Sequence, residues 1–255
     1  MSQRSLKQSA ALALQCLDLT SLGEADTAAD IAALCARAQS AHGPVAAVCV
    51  WPRFVAQARA ALPAGIKVAA VANFPAGDLD LPQALADVQA ILAAGGDEVD
   101  VVLPYRALQA GQQQAVSDFL AGVRAACAGK TLKVIIESGE LATPELIRLA
   151  TQLSMAAGAD FIKTSTGKSP VSATPAAAEA MLDEIAKAAR PGLGFKASGG
   201  IRTVRDAETY LALAEQALGA AALQPARLRF GASGLLSDIL ALLDGQSAGA
   251  PGSGY

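Results

Sequence analysis

The chain has 255 residues, with 20 Lys and Arg against 23 Asp and Glu, a formal charge of -3 and one histidine. One histidine, His42, cannot build a His-rich zinc or iron site and leaves a single candidate base for a Ser-His-Asp triad. Proton transfer in an enzyme of this composition therefore falls to Lys, Asp, Glu, Cys, Tyr or water. Mild acidity provides no electrostatic footprint for nucleic acid or anionic lipid, so neither is expected as a partner.

Hydrophobic residues make up 53% of the chain, but the excess is mostly alanine and aromatics are only 4%. Charged residues interrupt every apolar stretch before the roughly 18 residues that a spanning helix needs. The start, MSQRSLKQSAALALQCLDLT, reaches Asp18 too soon for a signal-peptide core, and Gln15 before Cys16 does not suit a lipoprotein site. A cytoplasmic location is expected. Cys16, Cys35, Cys49 and Cys127 form no CxxC pair, which excludes a zinc knuckle or thioredoxin-like motif and predicts reduced thiols.

In chain order, apolar and often β-branched runs predict strands over Cys16 to Thr20, Val45 to Val50, Lys67 to Asn73, Glu98 to Leu103, Leu132 to Ser138, Asp160 to Thr166, Leu193 to Ser198 and Leu228 to Ser233. An alanine-rich stretch of helical periodicity follows each. Eight such units at this length predict one α/β domain over residues 1-245, a single (β/α)8 TIM barrel. An open doubly wound sheet is the competitor, and it would normally place a Gly-rich turn after the first strand. The residues there, SLGEADTAADIAAL, read instead as a helix capped by Asp26 or Thr27. Residues 246-255 have linker composition and are expected to form a flexible tail ending in Tyr255.

Three fragments imitate nucleotide or hydrolase motifs and fail. Gly192 and Gly194 enter a strand, where a dinucleotide fingerprint leaves one; the P-loop-like Gly167-Lys168-Ser169 has Ile162 at its required first glycine; and Leu235 stands where a nucleophile elbow needs its second glycine. Each still places Gly and Ser beside a strand end, where backbone N-H groups can cradle an anion.

In a closed barrel function collects at the C-terminal strand ends. Asp18, Asp100, Glu137, Lys163 and Lys196 fall there in otherwise apolar strands. Burying such groups unpaired costs several kcal/mol each, so they must pair or shift their pKa values. Lys163 and Lys196 lie on neighbouring strands, and like charges held close lower one amine's pKa. A neutral amine is a nucleophile that attacks carbonyls. Asp100 can stay ionised beside the remaining ammonium and shuttle protons. Beyond the lysines, Thr166-Gly167-Lys168, Ser198-Gly199-Gly200 and Gly231-Ala232-Ser233-Gly234 follow three successive strands, the layout of a phosphate site in barrels.

The segments EVDVVLPYRAL, KVIIESGEL, GADFIKTSTGK, GFKASGGIRT and RFGAS, in this order, together with LDLT around Asp18, CVWPRF around Cys49 and VANFP around Asn73, resemble the deoxyribose-phosphate aldolase family over essentially the whole chain. The resemblance implies a class I aldolase in which Lys163 forms a Schiff base and Asp100 and Lys196 donate and accept protons. Its substrate would be 2-deoxy-D-ribose 5-phosphate, cleaved reversibly to acetaldehyde and D-glyceraldehyde 3-phosphate, with no cofactor or metal. The resemblance also implies that Asp18 belongs to the substrate site and orients Lys196, that Cys49 lies near the site, and that Tyr255 folds over it to assist proton transfer. It makes a homodimer the expected assembly. Two departures stand out: KASGG replaces the KPAGG of some members, and Gly234 stands where close relatives carry a second serine, removing one hydroxyl from the phosphate site. Another lysine-dependent sugar-phosphate aldolase, a transaldolase-like barrel and a non-catalytic sugar-phosphate-binding barrel are the alternatives.

Overall fold

Residues 4-246 are described by the structure, a computed structural model. Eight parallel strands run in chain order: β1 (Leu17–Thr20), β2 (Ala47–Val50), β3 (Lys67–Ala72), β4 (Glu98–Val102), β5 (Thr131–Ile135), β6 (Phe161–Lys163), β7 (Gly194–Ser198) and β8 (Leu228–Ala232). Each pairs with the next, and β8 returns to β1 with Leu17, Asp18 and Leu19 opposite Phe230, Gly231 and Ala232. That last pairing closes the sheet and excludes the open doubly wound alternative.

Alternation along the strands sorts the side chains into two environments. Val48, Val50, Val68, Val99, Val101, Leu132, Val134, Ile162, Phe195 and Phe230 face outward and join the helices in one apolar cluster. The inward set differs by sector. Cys49, Ala69 and Val71 form a small separate cluster with Leu22, against Trp51 and Phe74, whereas the inward positions of β4 to β8 are largely ionic.

The surrounding helices explain the alanine excess. In α9 (Pro175–Lys187) Ala177, Ala178 and Ala180 are buried against neighbouring elements, and α9 packs between α8 (Pro144–Ala156) and α10 (Val204–Leu218). Small side chains let helices approach the sheet and one another closely. The helix expected after β1 is α2 (Ala28–Arg37), capped by Thr27 with Asp30 completing a capping box.

Three features depart from the sequence expectations. First, α1 (Leu6–Gln15) precedes the barrel and packs on α10 and on α11 (Leu235–Leu243). Its signal was local, a capping box of Ser5 and Gln8 ahead of an apolar stripe. Second, the strands predicted over Lys67 to Asn73, Leu132 to Ser138 and Asp160 to Thr166 stop early, at Ala72, Ile135 and Lys163. Asn73 and Glu137 adopt φ of 53° and 52°, which takes the chain out of the extended region. Third, of residues 246-255 only Gln246 is described, so the expectations for Tyr255 lie outside the described residues. His42 occupies an exposed hairpin joining Gln39–Ser40 to Gly43–Pro44, with Nε2 2.7 Å from Asp244 Oδ1.

Gly194 is required by a close approach. A Cβ there would collide with the Phe161 ring, which also carries the Arg229 guanidinium 5.4 Å from its centroid. Gly194→Ala is expected to destabilise the barrel by about 1–3 kcal/mol through overpacking. Denaturant unfolding checks this, and the double variant Gly194→Ala/Phe161→Leu should recover part of the loss.

Candidate active site

Seven ionisable side chains from six strands meet inside the barrel: Asp18, Glu98, Asp100, Lys133, Lys163, Lys196 and Arg229, none more than 6% exposed. The register explains the convergence. Lys163 stands opposite Lys196 and Lys196 opposite Arg229, so three cations on adjacent strands share one level. Asp100 stands opposite Lys133, and Glu98 lies two residues before Asp100 on the same face of β4.

Asp100 is the hub. Its Oδ1 accepts from Lys133 Nζ at 2.7 Å, while Oδ2 accepts from Lys163 Nζ at 2.9 Å and Lys196 Nζ at 2.7 Å. The Cys49 thiol reaches the same Oδ2 at 4.0 Å. Lys196 has a second partner in Asp18 Oδ2 at 2.5 Å, and Arg229 bridges Asp18 Oδ1 at 2.6 Å and Glu98 Oε1 at 2.9 Å. Lys133 also meets Glu98 Oε2 at 2.5 Å and Asp18 Oδ2 at 3.6 Å.

These contacts separate the amines. Lys133 faces three carboxylates and Lys196 two; Lys163 faces only Asp100. Burial pulls every one of these lysines toward the neutral form. For Lys133 and Lys196 the carboxylates more than offset that pull, and their pKa values rise. For Lys163 burial wins, aided by the neighbouring Lys196, and its pKa falls below the ordinary lysine value. Asp100 feels burial too, but Lys133, Lys163 and Lys196 hold it well below the usual carboxylate range. Burial, then Asp100, pushes the Cys49 thiol up, so it remains protonated.

Above this cluster, at the C-terminal strand ends, opens a cavity of about 910 Å³. Every residue singled out as an anion binder lines it: Thr166, Gly167, Lys168, Gly199, Gly200, Gly231, Ser233 and Gly234. Gly231 connects the two regions, because a Cβ there would lie 3.0 Å from Lys196 Cε and 2.6 Å from Ser198 Oγ. The loops after β6 and β7 cross through their glycines. Gly199 has φ 87°, and a Cβ there would lie 3.3 Å from Gly167 Cα and would strike Ser172 at 2.5 Å. Gly234 is the N-cap of α11 without a side-chain cap bond, so the helix presents free N-H groups at the cavity.

Asp18 lies beneath the cavity, fully buried among Lys133, Lys196 and Arg229. Its contacts are with protein cations, and like Asp100, Lys163 and Lys196 it is not among the residues that line the cavity. Glu137 serves the loop after β6: it accepts from Thr166 N at 3.3 Å, Thr166 Oγ1 at 2.5 Å and Ser169 Oγ at 3.1 Å, and Thr166 Oγ1 in turn accepts from Lys168 N at 3.0 Å. Lys168 Nζ donates to Leu22 O at 2.8 Å.

Sequence reasoning missed Glu98 and Arg229, which lie toward the N-terminal ends of their strands, and Lys133, at the middle of β5 opposite Asp100. Their signal was available in the alternation: each is an inward position in an apolar strand. Arg202, after Gly199-Gly200, also lines the cavity and was not singled out.

Buried charges gathered beneath glycine-rich loops at the C-terminal end of a closed α/β barrel have the layout of a barrel enzyme. The sequence model of the DeoC/LacD family aldolases matches residues 12–238, and the chain belongs to that family; it is an aldolase, a carbon-carbon lyase. A deoxyribose-phosphate aldolase from Agrobacterium fabrum is 49% identical over 252 residues, covering 98% of this chain and 97% of the relative. Among solved structures, a barrel from Toxoplasma gondii ME49 ascribed to the same enzyme superposes with a TM-score of 0.86 at 22% identity, covering 95% of this chain and 96% of that one, and supports the fold. The tetrameric deoxyribose phosphate aldolase from Aeropyrum pernix matches with a TM-score of 0.70 at 29% identity, covering 95% of this chain and all of the other. Among the described residues no helix is long and apolar enough to cross a membrane.

Glu137→Ala would leave the Thr166 amide and the hydroxyls of Thr166 and Ser169 without their acceptor. A stability loss of about 1–3 kcal/mol is expected, measured as a lower denaturant midpoint and accompanied by faster proteolytic cleavage within residues 166-173. An unchanged midpoint with unchanged cleavage would contradict this role for Glu137.

Proposed function

We propose that the protein is a class I aldolase that reversibly cleaves 2-deoxy-D-ribose 5-phosphate to acetaldehyde and D-glyceraldehyde 3-phosphate. The observation that carries this reading is Lys163, the one buried amine of the cluster with a single carboxylate contact and a lowered pKa. Membership of the aldolase family and 49% identity to a deoxyribose-phosphate aldolase support the substrate.

The uncharged Lys163 Nζ attacks the C1 carbonyl of the open-chain sugar, and the carbinolamine loses water to give an iminium. Removal of the proton from the C3 hydroxyl breaks the C2-C3 bond. Its electron pair moves to the iminium, leaving an enamine on Lys163 and releasing glyceraldehyde 3-phosphate. Protonation of the enamine at C2 restores an iminium, and water releases acetaldehyde. Asp100 Oδ2, in contact with both Lys163 and Lys196, links the reacting amine to the proton store on Lys196, and the two side chains act with water as acceptor and donor. The phosphate belongs in the cavity, held by Lys168, the glycine-rich backbone and the uncapped start of α11. Cys49, a protonated thiol against Asp100, helps fill the apolar side of the site.

A cytoplasmic location and a homodimeric assembly complete this reading. The four buried free thiols support the first, and association in the Aeropyrum pernix relative supports the second. Light scattering tests the assembly, and a monomeric mass would overturn it.

Incubation with acetaldehyde and borohydride should place a reduced adduct on Lys163, located by peptide mass mapping. Lys163→Ala should lose both the adduct and the retro-aldol activity, and Asp100→Asn should lose about a hundredfold or more in kcat. An adduct elsewhere, or full activity in Lys163→Ala, would sink the mechanism.

Lys168→Ala should raise KM for deoxyribose 5-phosphate about tenfold or more, the worth of a charge-assisted hydrogen bond. Cleavage of unphosphorylated deoxyribose should change little. Equal effects on both sugars would remove Lys168 from the phosphate site.

A further inference from the structure

Counting charges in the buried cluster yields a result that no single contact shows. Four side chains can be cationic, Lys133, Lys163, Lys196 and Arg229, and three can be anionic, Asp18, Glu98 and Asp100. With all seven ionised the cluster carries one unbalanced positive charge in a volume from which water is excluded, and low dielectric makes that charge expensive. Discharging one amine restores balance. The contact pattern selects which: Lys133 and Lys196 each face two or more carboxylates, and Lys163 faces one.

Lys133 is the cation that creates the surplus. It is fully buried and occupies Oδ1 of Asp100, the oxygen that Lys163 does not reach. Glu98 holds its ammonium at 2.5 Å, and Arg229 in turn fixes Glu98 through two contacts at 2.9 and 3.2 Å. The groups facing Lys133 are Glu98 and Asp100 from β4, Asp18 from β1 and Arg229 from β8. Those facing Lys163 are Asp100 from β4, Lys196 from β7 and the Cys49 thiol from β2. The thiol is protonated and adds no charge to the count.

We propose that Lys133, clamped by Glu98 behind the reacting groups, is a positioning residue whose positive charge keeps the Lys163 amine unprotonated and therefore nucleophilic. It acts entirely through Asp100 and the charge balance. Without Lys133, three cations would face three carboxylates, Asp100 Oδ1 would be free, and protonated Lys163 would complete a balanced set. The inference rests on Lys163 as the amine that captures the carbonyl.

The test is the pH dependence of borohydride-trapped adduct formation with acetaldehyde on the full-length protein, with the acid limb reporting Lys163 protonation. Lys133→Met should move that limb to higher pH by about one unit or more, so that trapping below the limb slows about tenfold while the alkaline plateau persists. The double variant Lys133→Met/Glu98→Gln leaves three cations and two carboxylates, again one surplus positive charge, and should bring the limb back toward that of the unaltered protein. Glu98→Gln alone leaves four cations and two carboxylates and should move the limb to lower pH; it decides the matter if Lys133→Met does not fold.

A purely structural role for Lys133 would lower the plateau of Lys133→Met and leave its limb in place. That result, failure of the double variant to reverse the shift, or a Glu98→Gln limb that stays put or rises would overturn the proposal. An unaltered protein that forms no adduct at Lys163 would instead overturn the aldolase mechanism on which the proposal rests.

Discussion

One carboxylate, Asp100, organises the interior. Two lysines share its Oδ2 and a third holds its Oδ1, so its position fixes theirs. The arrangement also depends on closure of the sheet. Asp18 on β1 meets Arg229 on β8 across the final pairing and reaches Lys196 on β7, while Glu98 on β4 ties Arg229 to the opposite side. In an open sheet these residues would lie on separate edges and their charges would be solvated separately. Each buried ion costs several kcal/mol of desolvation, and replacing such networks by apolar residues is often neutral or stabilising. Burial of seven charges in one cluster is thus poorly explained by stability and well explained by chemistry that needs a displaced lysine pKa.

The interior is asymmetric in a way that serves that chemistry. β2 and β3 contribute Cys49, Ala69 and Val71 to an apolar wall, closed above by Trp51 and Phe74, which meet edge to face at 5.4 Å. β4 to β8 contribute the ions. A wall of hydrocarbon and a protonated thiol beside the cluster keeps the local dielectric low, which both penalises the Lys163 ammonium form and strengthens the contacts to Asp100. The cavity at the strand ends works by the opposite logic. There the backbone supplies donors, and the bare N-cap at Gly234 leaves N-H groups of the first helical turn without a side-chain cap.

Much of this was legible in the sequence. The barrel could be read because strands such as VAAVCV and KVAAVAN and their helices differ in period, and periodicity survives without knowledge of the fold. Lys163, Lys196 and Asp100 could be read because a charge near the end of an apolar strand demands a reason. Glu98 and Arg229 escaped because a charge near the start of a strand has an innocent explanation, contact with solvent at the barrel floor; Lys133 looked the same because its strand was expected from Leu132 to Ser138, whereas it runs from Thr131 to Ile135 and centres Lys133 opposite Asp100. Phe161 removes that explanation by filling the floor beside Gly194, an interaction between strands 33 residues apart that no local pattern encodes. Likewise the early ends of β3 and β5 depend on left-handed Asn73 and Glu137, whose conformations are held by bonds to distant groups, Asp87 and Val102 for the first and Thr166 for the second.

The scarcity of histidine acquires a physical meaning in this setting. Imidazole suits a site that must gain and lose protons near neutrality in water-like surroundings. Here, on the proposed charge balance, titration follows the charge of the cluster as a whole. On the proposed mechanism the Lys163 iminium carries a positive charge that pH cannot remove, and the cluster then regains its surplus cation. The added charge lowers the pKa of the neighbouring ammonium groups. Lys196, bound to the same Asp100 oxygen as Lys163, is closest in connectivity to that change. In the proposed mechanism Lys196 is least able to hold its proton while Lys163 is an iminium, and it regains proton affinity when C2-C3 cleavage leaves the neutral enamine that must then be protonated at C2. The proposed nucleophile and acid are thereby coupled through one carboxylate, Asp100, whose Oδ2 contacts both amines.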